Sequence, residues 1–390
     1  MSFFQNKLVS FAGAIHMFSI LESEADQVEI RNCLNGLKEE LEQKDFTINS
    51  LVKLTFFLPR ETPIELLFFE LNKLFKGHYP SCELLIQPPL TGASLIVFTW
   101  AVLGKETSIE YPKDNHSYLR QADFEILFVG NIYPSGMITN FHHQFADCFN
   151  EFESNLKSLG YSYSNIAKTW SYCGNIRTIE DDLTLFQHFN TVRTTFYQSI
   201  SFDRYKIPTG QRRYPANTGV GNSDGRVSLS GIACKGIDMI PIDNPIQLPP
   251  CQHSPWHETS PLFFSQGMAL VGTSEVLVLL SGTGSVFGGN IVDIGSAAGQ
   301  TERILDLIDA LLSTDNLSNA GLEIIEGGIS KLVYCVVYVE DVHNIEVVRE
   351  VCERRLARDL PIAYVQAPLC SNNLLVEIDG LASMEQKTVK

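Results

Sequence analysis

The sequence predicts an α+β fold built from three fused copies of one β-α-β-α-β-β unit. Three observations along the 390 residues support this prediction. Apolar residues fall at i, i+3, i+4 and i+7 in the helical parts, and short β-rich runs lie between them. These parts come in the same order three times. Each copy also has a glutamine that opens its first helix, a lysine that leads the next strand and a proline before its closing strands, so chance does not explain the repeat.

The elements of each copy follow in order along the chain. The first copy reads LVSFAGAI, a helix opening at Gln27, VKLTFFL with Lys53, ELLFFELNKLF, Pro80 and ASLIVFTWAVL. The second reads FEILFVGNI, a helix opening at Gln144, TWSYCGNI after Lys168, LFQHFNTVRTTFY, Pro215 and RVSLSGIAC. The third reads VLVLLSGTG, a helix opening at Gln300, KLVYCVVYV led by Lys331, IEVVREVCERRL, Pro361 and NLLVEIDGLA. We therefore predict units at 1–115, 116–243 and 263–390, with a proline-rich linker at 244–262.

Composition and charge narrow the class of protein. Hydrophobic residues make up 44% of the chain, which suffices for a large soluble core. A formal net charge of -16 argues against nucleic acid as a partner, because phosphate binding requires concentrated lysine and arginine. The longest N-terminal apolar run is too short for a membrane span, and nine cysteines without a C-x-x-C pair indicate reduced thiols. We expect a cytoplasmic protein that contacts no membrane.

The strands that end in Ser-Gly, the glutamine-led helices and the closing strands after each proline have a spacing that resembles the YjgF/RidA (chorismate-mutase-like) fold. Proteins of that family are trimers with sites between subunits, so the resemblance implies a monomer with internal pseudo-trimeric symmetry. In the imine deaminases of the family, an arginine two residues after the proline holds a substrate carboxylate. Here Cys82, Asn217 and Ala363 occupy those positions. Without the bidentate guanidinium, imine deamination is not expected.

A narrower resemblance rests on four segments: TWSYCGNI, FNTVRTTFY, YPANTGVG and the pair SGTGS with CSNNLLVEIDG. These segments resemble the chorismatases, relatives of the same fold that cleave pyruvate from chorismate. Members that form 3-hydroxybenzoate have a glycine and a cysteine where this chain has Gly284 and Cys370, whereas hydrolytic members have alanines. The resemblance implies that Cys370 steers the ring chemistry and that Gly284 leaves space for the substrate. By pattern alone, the cysteine is a small buried hydrophobe and the glycine shapes a turn.

Glu377 is the predicted general acid. In LLVEIDG, strand alternation places Glu377 and Asp379 on one face and Val376 and Ile378 on the other. If the first face lines a cleft, apolar neighbours raise the pKa of the carboxyl, which then keeps its proton near neutral pH. The resemblance implies that this glutamate delivers a proton to the enolpyruvyl methylene of chorismate. The alternative is an exposed strand carboxylate.

Chorismate carries two carboxylates, so its site needs cations or several hydrogen-bond donors. Arg193 and Tyr197 share a helix face in FNTVRTTFY. Four further candidates lie in QRRYPANTGVG, next to a Gly-rich turn whose free amides suit an anion. The predicted binding residues are Arg193, Tyr197, Arg213, Tyr214, Thr218, Gly219 and the spacer Gly284. The alternative for each arginine is a solvated surface ion pair. Trp170 and Tyr172 are candidates to pack against the ring of chorismate, although packing in the protein core explains these two aromatic residues equally well.

Two departures from the chorismatase pattern concern positive charge. Members of that family have arginines where this chain has Glu340 and Ser371, and both changes remove positive charge near the expected cleft.

Cys251, His253 and His257 have a spacing that resembles a metal site, but a fourth ligand is missing and we expect no metal. No sequence motif requires a cofactor.

The sequence leaves three functions open. The first is a cofactor-free lyase that converts chorismate to 3-hydroxybenzoate and pyruvate by acid-assisted elimination. The second is a chorismate hydrolase that gives a dihydroxycyclohexadiene carboxylate and pyruvate. The third is a non-catalytic RidA-like protein that binds a metabolite. An enzyme requires Glu377 to be desolvated and close to an anion pocket, whereas a binding protein can leave it solvated.

Overall fold

The computed structural model describes residues 3–23, 27–59, 64–112, 115–121, 123–136, 140–202, 214–250 and 261–387. These residues form three large β-sheets, each covered on its outer side by helices, as the sequence predicts for an α+β protein with three fused copies, and two small two-stranded sheets. Within these ranges, no helix combines the length and apolar character needed to cross a membrane.

The first sheet has five strands in the order β1-β2-β5-β3-β4. Its elements are β1 (Phe3–Phe11), β2 (Ala14–Ser23), α1 (Gln27–Glu42), β3 (Leu51–Phe57), α2 (Ile64–Phe75), β4 (Ser81–Leu85) and β5 (Leu95–Leu103). The sequence predicts one strand at LVSFAGAI, and this prediction is wrong. A two-residue turn with positive φ at Ala12 (49°) and Gly13 (79°) splits the run into the hairpin β1–β2. The uninterrupted apolar pattern conceals the turn.

The second sheet has the order β12-β9-β13-β8-β7-β6. Its strands are β6 (Ser108–Glu110), β7 (His116–Arg120), β8 (Glu125–Ile132), β9 (Ile166–Gly174), β12 (Ala216–Asn222) and β13 (Val227–Lys235), and the two-residue strands β10 (Ile179–Glu180) and β11 (Leu183–Thr184) pair separately. Its helices are α3 (Phe141–Ser158) and α4 (Leu185–Gln198). Helix α3 begins three residues before the predicted Gln144, because the Asn140 side chain accepts a hydrogen bond from the backbone N–H of His143 and caps the helix there.

The third sheet has the order β14-β15-β16-β22-β20-β21, and β17 also pairs with β22. Its strands are β14 (Asp238–Ile242), β15 (Gly267–Val271), β16 (Glu275–Leu280), β17 (Thr283–Gly284), β20 (Leu332–Val339), β21 (Ile362–Gln366) and β22 (Val376–Glu385), with a separate hairpin of β18 (Val286–Phe287) and β19 (Asn290–Ile291). Its helices are α5 (Ala297–Leu312), α6 (Thr314–Asn319) and α7 (Ile345–Arg355).

Strand pairing joins two short segments to the sheet that follows them along the chain. The strand at 108–110 belongs to the second sheet and the strand at 238–242 to the third, although the predicted units assign them to the preceding copies. Pro241 fits the latter because β14 is an edge strand, where a proline removes no ladder hydrogen bond from the sheet interior. The unit limits at 115 and 243 remain predictions of domain boundaries.

The inner strands β3, β9 and β20 face one another around a pseudo-threefold axis. Lys53 and Lys168, the lysines that lead the corresponding strands of the first two copies, are buried there. Lys331 directly precedes β20, as the sequence predicts, but it ends a short 3-10 helix and forms a surface ion pair with Glu326 at 2.6 Å. Tyr334 takes the inner position instead, because it directly follows the register shift between β20 and β22, as Lys53 follows the shift between β3 and β5.

Candidate active site

A cavity of about 690 Å³ lies between the second and third copies. Helix α4 and strand β12 form one side; the β16–β17 junction, the segment before β22 and β22 itself form the other. Its polar and small lining residues include Arg193, Asn217, Gly219, Gly284, Cys370 and Glu377, and its apolar walls include Phe186, Phe264 and Leu374. The few polar groups converge on an otherwise apolar space, as in small-molecule sites.

Glu377 lies on β22, paired with Tyr338 of β20 on one side and with Gly284 of β17 on the other. Its side chain is 6% exposed and forms no hydrogen bond with a described residue. Burial raises the pKa of its carboxyl to about 8; the negative charge of Asp379 adds to the rise, and Lys168 opposes it. The predicted protonated carboxyl is therefore present at neutral pH, with its oxygens open to the cavity.

Two glycines shape the space around this carboxyl. A Cβ atom at Gly282 would collide with a carboxyl oxygen of Glu377, whereas one at Gly284 would lie 3.2 Å from Leu374 Cδ2. Gly282 is thus the glycine that leaves room for the acid, and Gly284 keeps the cavity wall open. Sequence reasoning missed Gly282, although the Ser-Gly that ends the strand was part of the repeated pattern.

Cys370 lines the same cavity as Glu377 and is partly buried. Burial raises the pKa of its thiol, and the nearby Glu377 raises it further, so the thiol is neutral. The backbone on its N-terminal side is fixed: the N–H of Leu369 donates to Glu340 Oε2 at 2.7 Å, and Arg177 of the second copy donates to Glu340 Oε1 at 2.7 Å. Glu340 therefore anchors the segment that carries Cys370 and does not face the cavity.

Arg193 supplies a positive charge to the cavity from α4. Its side chain is 1% exposed and donates to Asn190 Oδ1 at 2.8 Å, while its guanidinium lies 4.9 Å from the ring of Phe189 and 5.4 Å from that of Phe264. Its Nε has no hydrogen-bond partner, and no described carboxylate pairs with it. Burial lowers its pKa to about 10, with Tyr197 opposing, so it stays charged at neutral pH. A buried, unpaired guanidinium is a natural anion anchor.

Asn217 occupies a position where the sequence analysis noted a missing arginine. Its Oδ1 accepts hydrogen bonds from Thr169 at 3.0 Å and Ser171 at 2.9 Å, which fixes the amide orientation and leaves the NH2 group free to donate into the cavity. Farther along the wall, Gln266 donates to Gln247 at 2.8 Å, so these two side chains are also held in place. Sequence reasoning missed these amides, because only the tertiary contacts reveal their orientation.

Among the described candidates, Thr218, Tyr197 and Tyr214 do not line the cavity. Thr218 lies between Asn217 and Gly219 on β12, and its methyl group lies close to Gly282 beside the Glu377 carboxyl. Tyr197 is buried below Arg193 and stacks on Tyr214 with ring centroids 6.1 Å apart. These residues therefore support the wall, and direct contact between them and a ligand stays a prediction.

The remaining candidate residues of the sequence lie outside the cavity or outside the described residues. Trp170 and Tyr172 lie at the pseudo-threefold axis and not in the cavity, as core packing would place them. Arg213 and the CQHSPWH segment lie outside the described residues. Within the described ranges, no group of three His, Cys, Asp or Glu side chains is arranged to hold a metal ion.

Comparisons with known proteins agree with the chorismatase resemblance. The chain is 27% identical over 230 residues to a 3-hydroxybenzoate synthase from Streptomyces hygroscopicus, which is 57% of this chain and 64% of that protein. It is 27% identical over 225 residues to a chorismatase from Streptomyces rapamycinicus, covering 57% and 65%. The matched region thus spans somewhat less than two thirds of the length of these curated relatives. No protein-family model matches the chain.

A crystal structure of a chorismatase shares the fold, with a TM-score of 0.70 over 96% of this chain and 99% of that one at 19% identity. The predicted α+β fold and the resemblance to chorismatases are confirmed by these findings.

Proposed function

We propose that this protein, a relative of the chorismatases by sequence and by fold, converts chorismate to 3-hydroxybenzoate and pyruvate without a cofactor. The observation that carries the proposal is the pairing in one cavity of Glu377, whose buried carboxyl has a pKa of about 8, with the buried guanidinium of Arg193. A proton donor opposite a fixed positive charge suits an anionic substrate that needs protonation.

In this proposal Glu377 delivers its proton to the enolpyruvyl methylene of chorismate. Protonation makes the ether oxygen part of a better leaving group. The bond between the ring carbon and this oxygen breaks, the enolpyruvyl carbons leave with the oxygen as pyruvate, and the ring releases one proton as it becomes aromatic, which balances the proton taken from Glu377. Formation of 3-hydroxybenzoate and pyruvate accounts for all the atoms of chorismate, so no water is consumed overall. Hydrolysis instead adds one water and gives the dihydroxycyclohexadiene carboxylate. The apolar walls of Phe186, Phe264 and Leu374 offer no polar group to hold an attacking water molecule, and so favour the first outcome.

Binding of the substrate follows from the donors that face the cavity. Arg193 anchors one carboxylate, and the Asn217 amide supplies further hydrogen bonds. Arg213 remains a proposed ligand for the second carboxylate. Cys370, whose neutral thiol lies beside Glu377, steers the ring intermediate toward the 3-hydroxy product, and Gly284 keeps the wall open for it.

We also propose that the protein is a monomer, because one chain supplies both sides of the cavity. We propose in addition that it works in the cytoplasm on a small molecule. Size-exclusion chromatography with light scattering tests the first point: a mass near 43.6 kDa supports it, and a larger assembly contradicts it.

The test is to incubate the purified protein with chorismate and to identify the products by chromatography. Equal amounts of 3-hydroxybenzoate and pyruvate support the proposal. A dihydroxycyclohexadiene carboxylate would establish hydrolysis instead, and absence of any product from a folded protein would favour a binding protein. Cys370→Ala should divert part of the flux to the hydrolysis product. Glu385→Gln, at the exposed end of the same strand, is the matched control and should leave the product ratio unchanged.

A further inference from the structure

A buried ion pair lies beside Glu377 and joins the two copies that form the cavity. Asp379 follows two residues later on the same face of β22 and is 2% exposed. It accepts hydrogen bonds from the ammonium of Lys168 and from Trp170 Nε1, the latter at 2.6 Å. Lys168 and Trp170 belong to β9 of the second copy, so the three side chains cross the interface next to the proposed acid.

Burial lowers the pKa of Lys168, and the charge and hydrogen bond of Asp379 oppose that effect. It is fully buried, donates also to the backbone carbonyl of Leu280, and its ammonium lies 4.5 Å from the centre of the Trp170 ring. Breaking such a pair on one side leaves an uncompensated buried charge, and that charge acts strongly on neighbouring groups because little water screens it.

Charged and titratable groups surround Glu377 from every side. Asp379 lies on its own strand, Lys168 on β9, Tyr338 on β20, Cys370 on the segment before β22 and Arg193 across the cavity on α4. Of these, only Asp379 and Lys168 form a closely bonded pair of opposite charges, and the two act on Glu377 in opposite directions. The balance between them therefore governs the electrostatic environment of the acid.

We propose that Lys168, Trp170 and Asp379 act as a positioning unit for Glu377, holding its strand against the second copy and setting the balance of charge beside its carboxyl. This inference rests on the proposed role of Glu377 as the acid. Asp379 opposes ionisation of Glu377, Lys168 limits that effect, and Trp170 fixes the carboxylate of Asp379 by its indole N–H. None of the three touches the substrate.

The closing experiment follows the titration of Glu377 directly. The protein is labelled with 13C at the glutamate carboxyl carbon, and the Glu377 signal is assigned by its absence in Glu377→Gln. Asp379→Asn removes a negative charge from beside Glu377 and should lower its titration midpoint by about one pH unit; Lys168→Met removes a positive charge and should raise the midpoint by a similar amount. Trp170→Phe, which keeps both charges, should raise it by less.

A matched control separates this effect from general disturbance of the core. Lys53→Met breaks the Lys53–Glu83 pair, which is also buried, at 2.6 Å; Lys53 lies 4.5 Å from the centre of the Trp170 ring, but neither Lys53 nor Glu83 acts directly on Glu377. It should lower the melting temperature without moving the Glu377 midpoint. If every variant that folds titrates like the wild type, or if Lys53→Met shifts the midpoint as much as Lys168→Met, the inference is overturned.

The rate of chorismate cleavage should fall at alkaline pH as Glu377 loses its proton. In the same variants, the pH of this fall should shift in parallel with the titration midpoint of the carboxyl signal. Turnover is not needed for the titration itself. A protein that titrates as expected but consumes no chorismate would therefore refute the proposed function and leave the electrostatic coupling standing, whereas turnover with an unmoved midpoint would refute the coupling alone.

Discussion

Replacement of Glu377 by glutamine should make the protein more stable at alkaline pH while removing its activity. The carboxyl has an ordinary pKa of 4.5 and one of about 8 in the folded protein. Below pH 4.5 the carboxyl is neutral in both states. As the pH rises toward 8, the unfolded chain releases the proton and the folded protein does not, so stability is lost across this window. Between pH 5.5 and 8.5 the loss amounts to about 3 kcal/mol.

Glutamine has nearly the same shape as a protonated glutamic acid and carries no titrating group. The unfolding free energy of wild type and Glu377→Gln should be measured in urea at pH 5.5 and 8.5. Other titrating groups are common to both proteins, so the difference between them should grow by about 3 kcal/mol in favour of the variant. A difference that stays within about 1 kcal/mol across this range would mean that the carboxyl is solvated and would refute its assignment as the acid.

Three further substitutions test the walls of the cavity. Arg193→Lys should raise KM for chorismate about tenfold with a smaller change in kcat, because a compact ammonium cannot reproduce the fork of the guanidinium. Gly282→Ala should lower kcat about a hundredfold, because its Cβ displaces the carboxyl of Glu377. Glu340→Ala leaves the N–H of Leu369 without its acceptor, so it should cost about 1–3 kcal/mol in a urea melt and increase the share of hydrolysis product.

Each of these predictions has a clear opposite result. An unchanged KM in Arg193→Lys would place the substrate carboxylate elsewhere. Wild-type activity in Gly282→Ala would show that the Glu377 carboxyl can be displaced without loss of activity. A Glu340→Ala variant with lower stability but an unaltered product ratio would confine Glu340 to a structural role and separate it from Cys370.

The parts of the site that follow from local pattern were predictable from the sequence. Strand alternation alone places Glu377 and Asp379 on the same face of β22, and the structure has that arrangement. Helical spacing likewise puts Arg193 on a definite face of α4, although only the structure shows that the guanidinium has no carboxylate partner among the described residues.

The remaining features depend on contacts between distant segments. The orientation of the Asn217 amide is fixed by two hydroxyl groups on β9, and the need for glycine at 282 arises from a side chain nearly a hundred residues later. The sequence shows a lysine at 331 but not the register shift that puts Tyr334 at the axis. Such features depend on the register and packing of whole sheets, which local periodicity does not specify.

The central claim is that Glu377 protonates chorismate in the cavity between the second and third copies. The most direct measurement is the rate of pyruvate release from chorismate by the wild type and by Glu377→Gln at the same pH, with both proteins shown to be folded. The wild type should release pyruvate together with 3-hydroxybenzoate, and the variant should lose activity by at least about a hundredfold. Pyruvate release by Glu377→Gln at a rate close to that of the wild type would contradict the claim.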